Sequence, residues 1–345
     1  MAVTTVTPVN DKFYAAGTNV TAPTTGYSGT FIPTLWSGKL ATKFYASSVF
    51  GEIANTDWQG EISALGDTVM INTIPTLTVK DYKIGMQLEY EVPTPEVITL
   101  KIDHAAYFGI NVNDVFEYQS KPNLMSTFTD DAATQLKLKV DSNVLYNTFF
   151  DDKGALKTSA SGKAAVWDKN AGATAGASTG KYNLGTDAAP VALTSDNILS
   201  YITMLSTVLD EANVPEEGRY LVMTPYERQL LMQSNLAQAQ FMGDPKSILR
   251  NGKIGSIDRF TIYLSNQLPR GVAGKAWDNT TAATSALARH LIFAGHKSGI
   301  SFASQITKVE NLQNPSDFGQ LIRGLQVWGS AVTQGQALAP LIVAG

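Results

Sequence analysis

The chain has no cysteine among its 345 residues, which removes disulfide frameworks, thiolate metal sites and cysteine nucleophiles together. Histidine is almost as scarce, at His104, His290 and His296 only. Charge is thin: Asp, Glu, Lys and Arg make up 16% of residues, against about 25% in a typical soluble domain. With 26 basic and 30 acidic side chains the net charge is −4, and no electrostatic case for nucleic acid or an anionic membrane follows. Little of the surface is committed to solubility. Either copies of the chain cover much of it, or it is simply a mildly polar soluble surface. No apolar run reaches membrane-spanning length, and MAVTTVTPVNDKFY lacks the basic and apolar regions of a secretory signal. The sequons at Asn19 and Asn279 therefore read as chance matches in a chain that is not secreted.

What the sequence does have is one long uninterrupted helical pattern, Leu124 to Phe150. Apolar residues recur at Leu124, Phe128, Ala132, Leu136, Val140 and Val144, widened by Met125, Leu145 and Phe149, with no proline or glycine between them. Asn123 is the expected cap after Pro122. Such a helix runs roughly 40 Å, far longer than the average of about a dozen residues. Its apolar stripe is one-sided, so it lies on something, and Asp130, Lys137, Lys139 and Asp141 are expected on its polar face.

Around this helix the chain changes character several times. Residues 1 to 29 are rich in Thr, Pro, Gly and Ala without any period, as in an extended arm. Phe31 to Ala54 reads as a short docking helix beginning near Pro33. Thr68 to Ile74 and Gln87 to Val92 read as two strands joined by the polar tip Lys80 to Gly85, a long hairpin. Two strands alone are marginal in water, so this hairpin needs a partner surface, either the body of the same chain or a neighbour. Glu96 to Val112 alternates as a single long strand, with Ile98, Leu100, Ile102, Ala106, Phe108, Ile110 and Val112 on one parity. After the long helix, 151–190 reads as a surface loop with isolated aromatics at Trp167 and Tyr182. Ser195 to Asn213 reads as a helix and Tyr220 to Met223 as a buried strand. Thr224-Pro225-Tyr226-Glu227 is a capping box opening another helix. Phe260 to Ser265, Leu291 to Ala294 and Leu321 to Val332 read as further strands, with a second loose segment at Gly271 to Ala288.

Chemistry-bearing constellations are missing from this frame. His104 falls on the apolar parity of its strand and reads as a core histidine with a backbone partner, while His290 and His296 flank a strand without an HExxH context. No G-x-S-x-G elbow, phosphate loop or dinucleotide fingerprint is present. Glu216 and Glu217 lie in a Pro-Glu-Glu-Gly turn and read as solvated rather than as an acid–base pair. Asp151 and Asp152 read as a solvated helix exit rather than a cation site, and Asp130 with Asp131 as a favourable charge near the other end. No catalytic, cofactor or metal residues are expected.

The order of elements is more telling. FIPTLWSGKL (Phe31 to Leu40), GDTVMINTIP (Gly66 to Pro75), EVITLKIDHAAYFGINVNDVFE (Glu96 to Glu117), VPEEGRYLVMTP (Val214 to Pro225), SIDRFTIYLSNQLP (Ser256 to Pro269) and FGQLIRGLQVWGSAVTQGQAL (Phe318 to Leu338) follow in sequence. As an ordered set across nearly the whole chain they resemble the major capsid proteins of tailed bacteriophages, short-tailed ones above all, whose shell fold is shared with herpesviruses and encapsulins. The resemblance implies an α+β fold. It has an arm and docking helix (1–55), an extended hairpin loop (56–95), a peripheral domain with strand and spine helix (96–150) and a flexible insertion (151–190). An α/β axial domain (191–290) and a return with the closing strand (291–345) complete it. It also implies hexamers and pentamers in an icosahedral virion shell, formed in the host bacterial cytoplasm around double-stranded DNA held without sequence-specific contacts. Expected partners are further copies of the chain, a scaffolding protein and a portal, with a decoration protein an open addition; no membrane is involved. Lys80, Asp81, Tyr82, Lys83, Glu89 and Glu91, at and beside the loop tip, are the expected inter-subunit contacts. Lys80 and Lys83 stand where some relatives place a crosslinking lysine, but no acceptor asparagine or catalytic carboxylate is identifiable, so crosslinking is not expected. The alternatives are an encapsulin shell holding cargo enzyme and an α/β enzyme without a recognisable motif.

Overall fold

The long helical pattern becomes one helix, α2, Leu124–Phe149. The structure, a computed structural model, describes residues 48–58, 68–72, 74, 77–87, 89–95, 97–113, 124–151, 153–159, 166–167, 182–186, 189–234, 256–272, 277, 288–314 and 318–345. All of them belong to one unit, Thr42–Gly345. The arm, most of the docking helix and the cap at Asn123 lie outside the described residues.

Two sheets divide the work, and two short strands outside them, β4, Thr158–Ser159, and β5, Val166–Trp167, pair in parallel. The first sheet is six-stranded and is centred on β10, Ala288–His296. One edge of β10 carries β13, Leu338–Ala344; the other carries β6, Arg219–Met223, and β9, Arg270–Val272. Beyond β6 the order continues with β8, Phe260–Leu264, parallel to it, and then β7, Ser256–Ile257. Every residue of β6 is buried, which is why it reads as a continuous apolar run rather than an alternating one. Helix α3, Ile198–Glu211, contributes Ile198, Ile202, Leu205, Val208 and Leu209 to the same core. It ends where Asn213 takes a positive φ of 57°, a backbone that asparagine tolerates better than most residues. Arg219 is buried in the turn that follows. Its guanidinium donates to the carbonyls of Val214 and Pro215 and pairs with Asp210 at 2.8 Å. The capping box at the start of α4, Pro225–Gln233, forms as expected.

The second sheet is antiparallel in the order β11-β12-β3: Ile300–Gln313, Gly319–Val332 and His104–Asn113. Strand β11 has no counterpart in the expected elements, although Ile300 and Phe302 announce it. The expected single strand from Glu96 to Val112 is two strands, β2, Val97–Lys101, and β3. The chain steps across β12 between them. Gly329 permits this, since a Cβ there would land on the Lys101 carbonyl. Parity survives the break: Ile98, Leu100 and Ile102 are buried while Thr99, Lys101 and Asp103 face water.

The expected hairpin also changes partner. Strand β1, Thr68–Asn72, pairs in antiparallel register with β2, not with Gln87 to Val92, whose described residues form no strand. Strand β2 has a sheet to lie on, with Leu100 and Ile102 packed against Ala303 and Val327. Among the described residues, those from Leu77 to Pro95 pair with no strand.

Helix α2 connects the two sheets. Val140, Val144, Leu145 and Phe149 are fully buried, and the rings of Phe149 and Phe293 lie 4.6 Å apart. The stripe is fully buried over this C-terminal half, whereas Ala132 and Leu136 are half-buried and Phe128 is exposed. Asp141 departs from its expected place on the solvated face. It is fully buried and accepts the backbone N–H groups of Val49 (3.2 Å) and Phe50 (2.9 Å), tying the short helix α1, Phe50–Ile53, to α2. The expected surface loop after α2 is anchored at its ends: the Ile342 N–H donates to the carbonyl of Leu184, itself buried. Trp277, in the second loose segment, is buried and stacks on Phe150 at 4.6 Å. Two single-turn 3-10 helices carry the chain between sheets, Lys297–Gly299 from β10 to β11 and Gly335–Ala337 from β12 to β13. They lie side by side, with the Thr333 N–H on the Gly299 carbonyl and the Thr333 hydroxyl on that of Ser298.

Candidate inter-subunit surface

Among the described residues each histidine and its neighbouring carboxylates have local structural partners. His104, on β3, sits 2.8 Å from the Asn147 amide and 3.3 Å from Asp103, so its partners are side chains rather than the expected backbone group. His290 faces Glu227 at 2.5 Å, and the same carboxylate accepts the Thr224 N–H and hydroxyl. Burial alone would raise the Glu227 pKa, but the bonds and charge from His290 outweigh it and hold it below the usual carboxylate value. This pair locks the start of α4 onto β10. His296, at the far end of β10, bonds Ser298 and has its pKa lowered, chiefly by burial. Among the described residues no cluster of His, Asp and Glu could hold a metal ion. Glu216 is exposed, 3.2 Å from Arg259. Asp151 accepts the N–H groups of Lys153 and Ala155 and so shapes the turn at the end of α2.

The distinctive chemistry lies in residues 74–95. Ile84 is 98% exposed, Val79 95%, Ile74 95% and Tyr90 88%, with Tyr82, Val92 and Leu77 also open to solvent. From Tyr82 to Val92 every even-numbered residue is apolar (Tyr82, Ile84, Met86, Leu88, Tyr90, Val92) and no odd-numbered one is. Among the described residues no strand pairs with this stretch. A contiguous exposed apolar patch of this kind marks a contact surface. Among the described residues the ties that hold the loop are local and weak. Lys80 and Glu89 bridge its two limbs at 2.6 Å, and the Thr78 N–H reaches Glu91 at 3.4 Å. At the tip, the Met86 N–H donates to the Lys83 carbonyl beside Gly85, whose φ is +90°. With both side chains exposed, the Lys80–Glu89 pair contributes at most about 1 kcal/mol.

Of the expected contacts, Lys80, Asp81, Tyr82, Lys83, Glu89 and Glu91 all lie on this loop. The structure joins Lys80 to Glu89, and it leaves Asp81 and Tyr82 facing water. Sequence reasoning favoured the polar members and passed over Ile74, Val79, Ile84 and Tyr90. For Ile84 and Tyr90 the available signal is the even spacing from Tyr82 to Val92, which reads the same for a strand in a sheet and for a free edge; Ile74 and Val79 lie outside that alternation. A second exposed apolar area lies on β3 and β12, around a depression of about 340 Å³ lined by Tyr107, Glu310, Arg323, Gly324 and Leu325.

No protein-family model matches the chain, and no curated protein matches it in sequence. Solved structures do. A chain of Mycobacterium phage Che8 superposes with a TM-score of 0.67 at 25% identity, covering 90% of this chain and 97% of that one. The capsid structure of cyanophage P-SCSP1u gives 0.64 at 16%, covering 91% and 94%. The capsid of Ralstonia phage GP4 gives 0.57 at 13%, covering 93% and 97%. The fold is that of a tailed-phage capsid protein. Each of these matches covers 90% or more of both chains. The resemblance read from the order of sequence motifs holds at the level of the fold.

Proposed function

We propose that this chain is the major structural subunit of a tailed-phage shell. Hexamers and pentamers of it would close an icosahedral container around double-stranded DNA. The observation that carries the reading is loop 74–95: a row of exposed apolar side chains that no described residue covers, on a capsid fold. A neighbouring copy supplies that surface, with Lys80, Asp81, Tyr82, Lys83, Glu89 and Glu91 bordering the contact. In this arrangement 1–55 acts as arm and docking element, 56–95 as the extended loop, 96–150 as the peripheral domain, 151–190 as an insertion, 191–290 as the axial domain and 291–345 as the return. A scaffolding protein and a portal complete the assembly in the host cytoplasm, and the role is mechanical rather than catalytic. The net charge of −4 suits a container, since a strongly basic lining would hold packaged DNA along its length.

The test is assembly. Full-length protein produced with its scaffolding partner is expected to give large uniform particles by sedimentation and negative-stain microscopy. Deleting Asp81 to Glu89 is expected to abolish closed particles while leaving a folded subunit. A full-length chain that stays monomeric with its scaffold present overturns the reading, and particles filled with a cargo enzyme instead of DNA redirect it to an encapsulin.

A further inference from the structure

We propose that Asp141 is a proton-operated clip that fastens the segment Ser48–Ile53 to helix α2, and so governs how firmly the chain is held where it enters the two sheets. The geometry is specific. Asp141 lies in the covered half of α2 and is fully buried. One carboxylate oxygen, Oδ1, accepts both the Val49 and the Phe50 N–H, from residues more than ninety positions earlier in the chain. The other oxygen, Oδ2, is buried with no hydrogen-bond partner, and so is the neighbouring segment's Ser48 hydroxyl. Immediately downstream, Asn55 is stitched to the start of β11, donating to the Ile300 carbonyl and accepting from the Phe302 N–H. Phe50 packs its ring 4.9 Å from Phe302. The clip is thus the polar half of a junction whose apolar half is Phe50, Ile53 and Phe302.

A buried carboxylate with two N–H donors on one oxygen and none on the other is poorly suited to carry a full charge. Its surroundings offer little compensation. Lys137, one turn earlier on α2, draws the pKa down slightly; Glu52, on α1, is exposed; and among the described residues Asp141 makes no ion pair. Burial dominates and pushes the Asp141 pKa from 3.8 up to about 6, against the two backbone bonds and Lys137. The sign follows from the raised value: the contribution is complete below the ordinary carboxylate pKa and is lost as pH rises through about 6. The clip is therefore firm in mild acid and strained at neutral pH and above. A protonated Asp141 keeps Oδ1 as the acceptor for both N–H groups while removing the charge.

The test compares full-length wild type with Asp141→Asn and Asp141→Ala between pH 5 and 8. Asparagine keeps the acceptor and cannot ionise. The denaturation midpoint of wild type is expected to fall relative to Asp141→Asn as pH rises through 6. Amide exchange at Val49 and Phe50 is read alongside as protection factors. Protection is expected to persist in Asp141→Asn and to drop on the order of tenfold in Asp141→Ala, as for loss of a helix cap. Parallel midpoint curves for wild type and Asp141→Asn across this range overturn the proton dependence. Unchanged protection at Val49 and Phe50 in Asp141→Ala overturns the clip. Should the alanine variant fail to fold, the wild-type and asparagine curves decide alone.

Discussion

Strand β10 and loop 74–95 are both rich in apolar side chains, yet they sit at opposite ends of the folding balance. Eight of the nine residues of β10 are buried, between β13 on one edge and β6 and β9 on the other. In the loop, Ile74, Val79, Ile84 and Tyr90 are almost wholly open to water. Apolar content alone therefore does not say where a core is. A buried strand has covered faces and paired edges within one chain, whereas among the described residues the loop has a few local polar ties and a turn. In the first region sequence is spent on the stability of the subunit. In the second it leaves apolar side chains that no described residue covers.

That contrast can be broken from either side. The largest effect is expected at the core end: Phe149→Ala removes a ring packed against Phe293 and should destabilise the free subunit by about 3–5 kcal/mol in denaturant titration. Lys137→Pro should cost about 3 kcal/mol or more by interrupting α2, and particles should be lost with it; normal particles would show that α2 is not the spine of the assembly. Gly329→Ala should cost about 1–3 kcal/mol, because β2 and β3 step across β12 at that point and leave no room for a methyl group. The smallest effect on the subunit is expected in the loop, where Ile84→Ser combined with Tyr90→Ser should shift stability by no more than about 0.5 kcal/mol. The same variant should fail to assemble. A loop variant that melts the subunit, or one that assembles normally, would erase the distinction between the two regions.

Sequence made long-range order legible where one physical period ran uninterrupted. Helix α2 was readable end to end because 26 residues keep helical spacing without a breaker. The capping box at Thr224 was readable because its chemistry is local. What escaped depended on partners far away in the chain. Alternation from Glu96 to Val112 gave the right buried parity but not the step at Ile102, which exists because β12 passes beneath. Asp141 looked like a solvated helix residue, and only the return of Val49 and Phe50 to its side buries it. The loop's even-numbered apolar residues were visible all along. Their alternation is identical for a strand with a sheet and a strand without one, so sequence alone could not separate the two cases.

The paired 3-10 turns between the sheets set the kind of movement the subunit can make. A single covalent crossing would let one sheet swivel about it like a ball on a stalk. Here two crossings run together, Lys297–Gly299 and Gly335–Ala337, and are laced by the Thr333 bonds to Gly299 and Ser298. Two laced crossings resist torsion between the sheets better than one would, and α2, packed through Phe149 on Phe293, ties them at a further point. Turning one sheet against the other means breaking bonds at more than one place, so the crossings act as a bolted joint rather than a swivel.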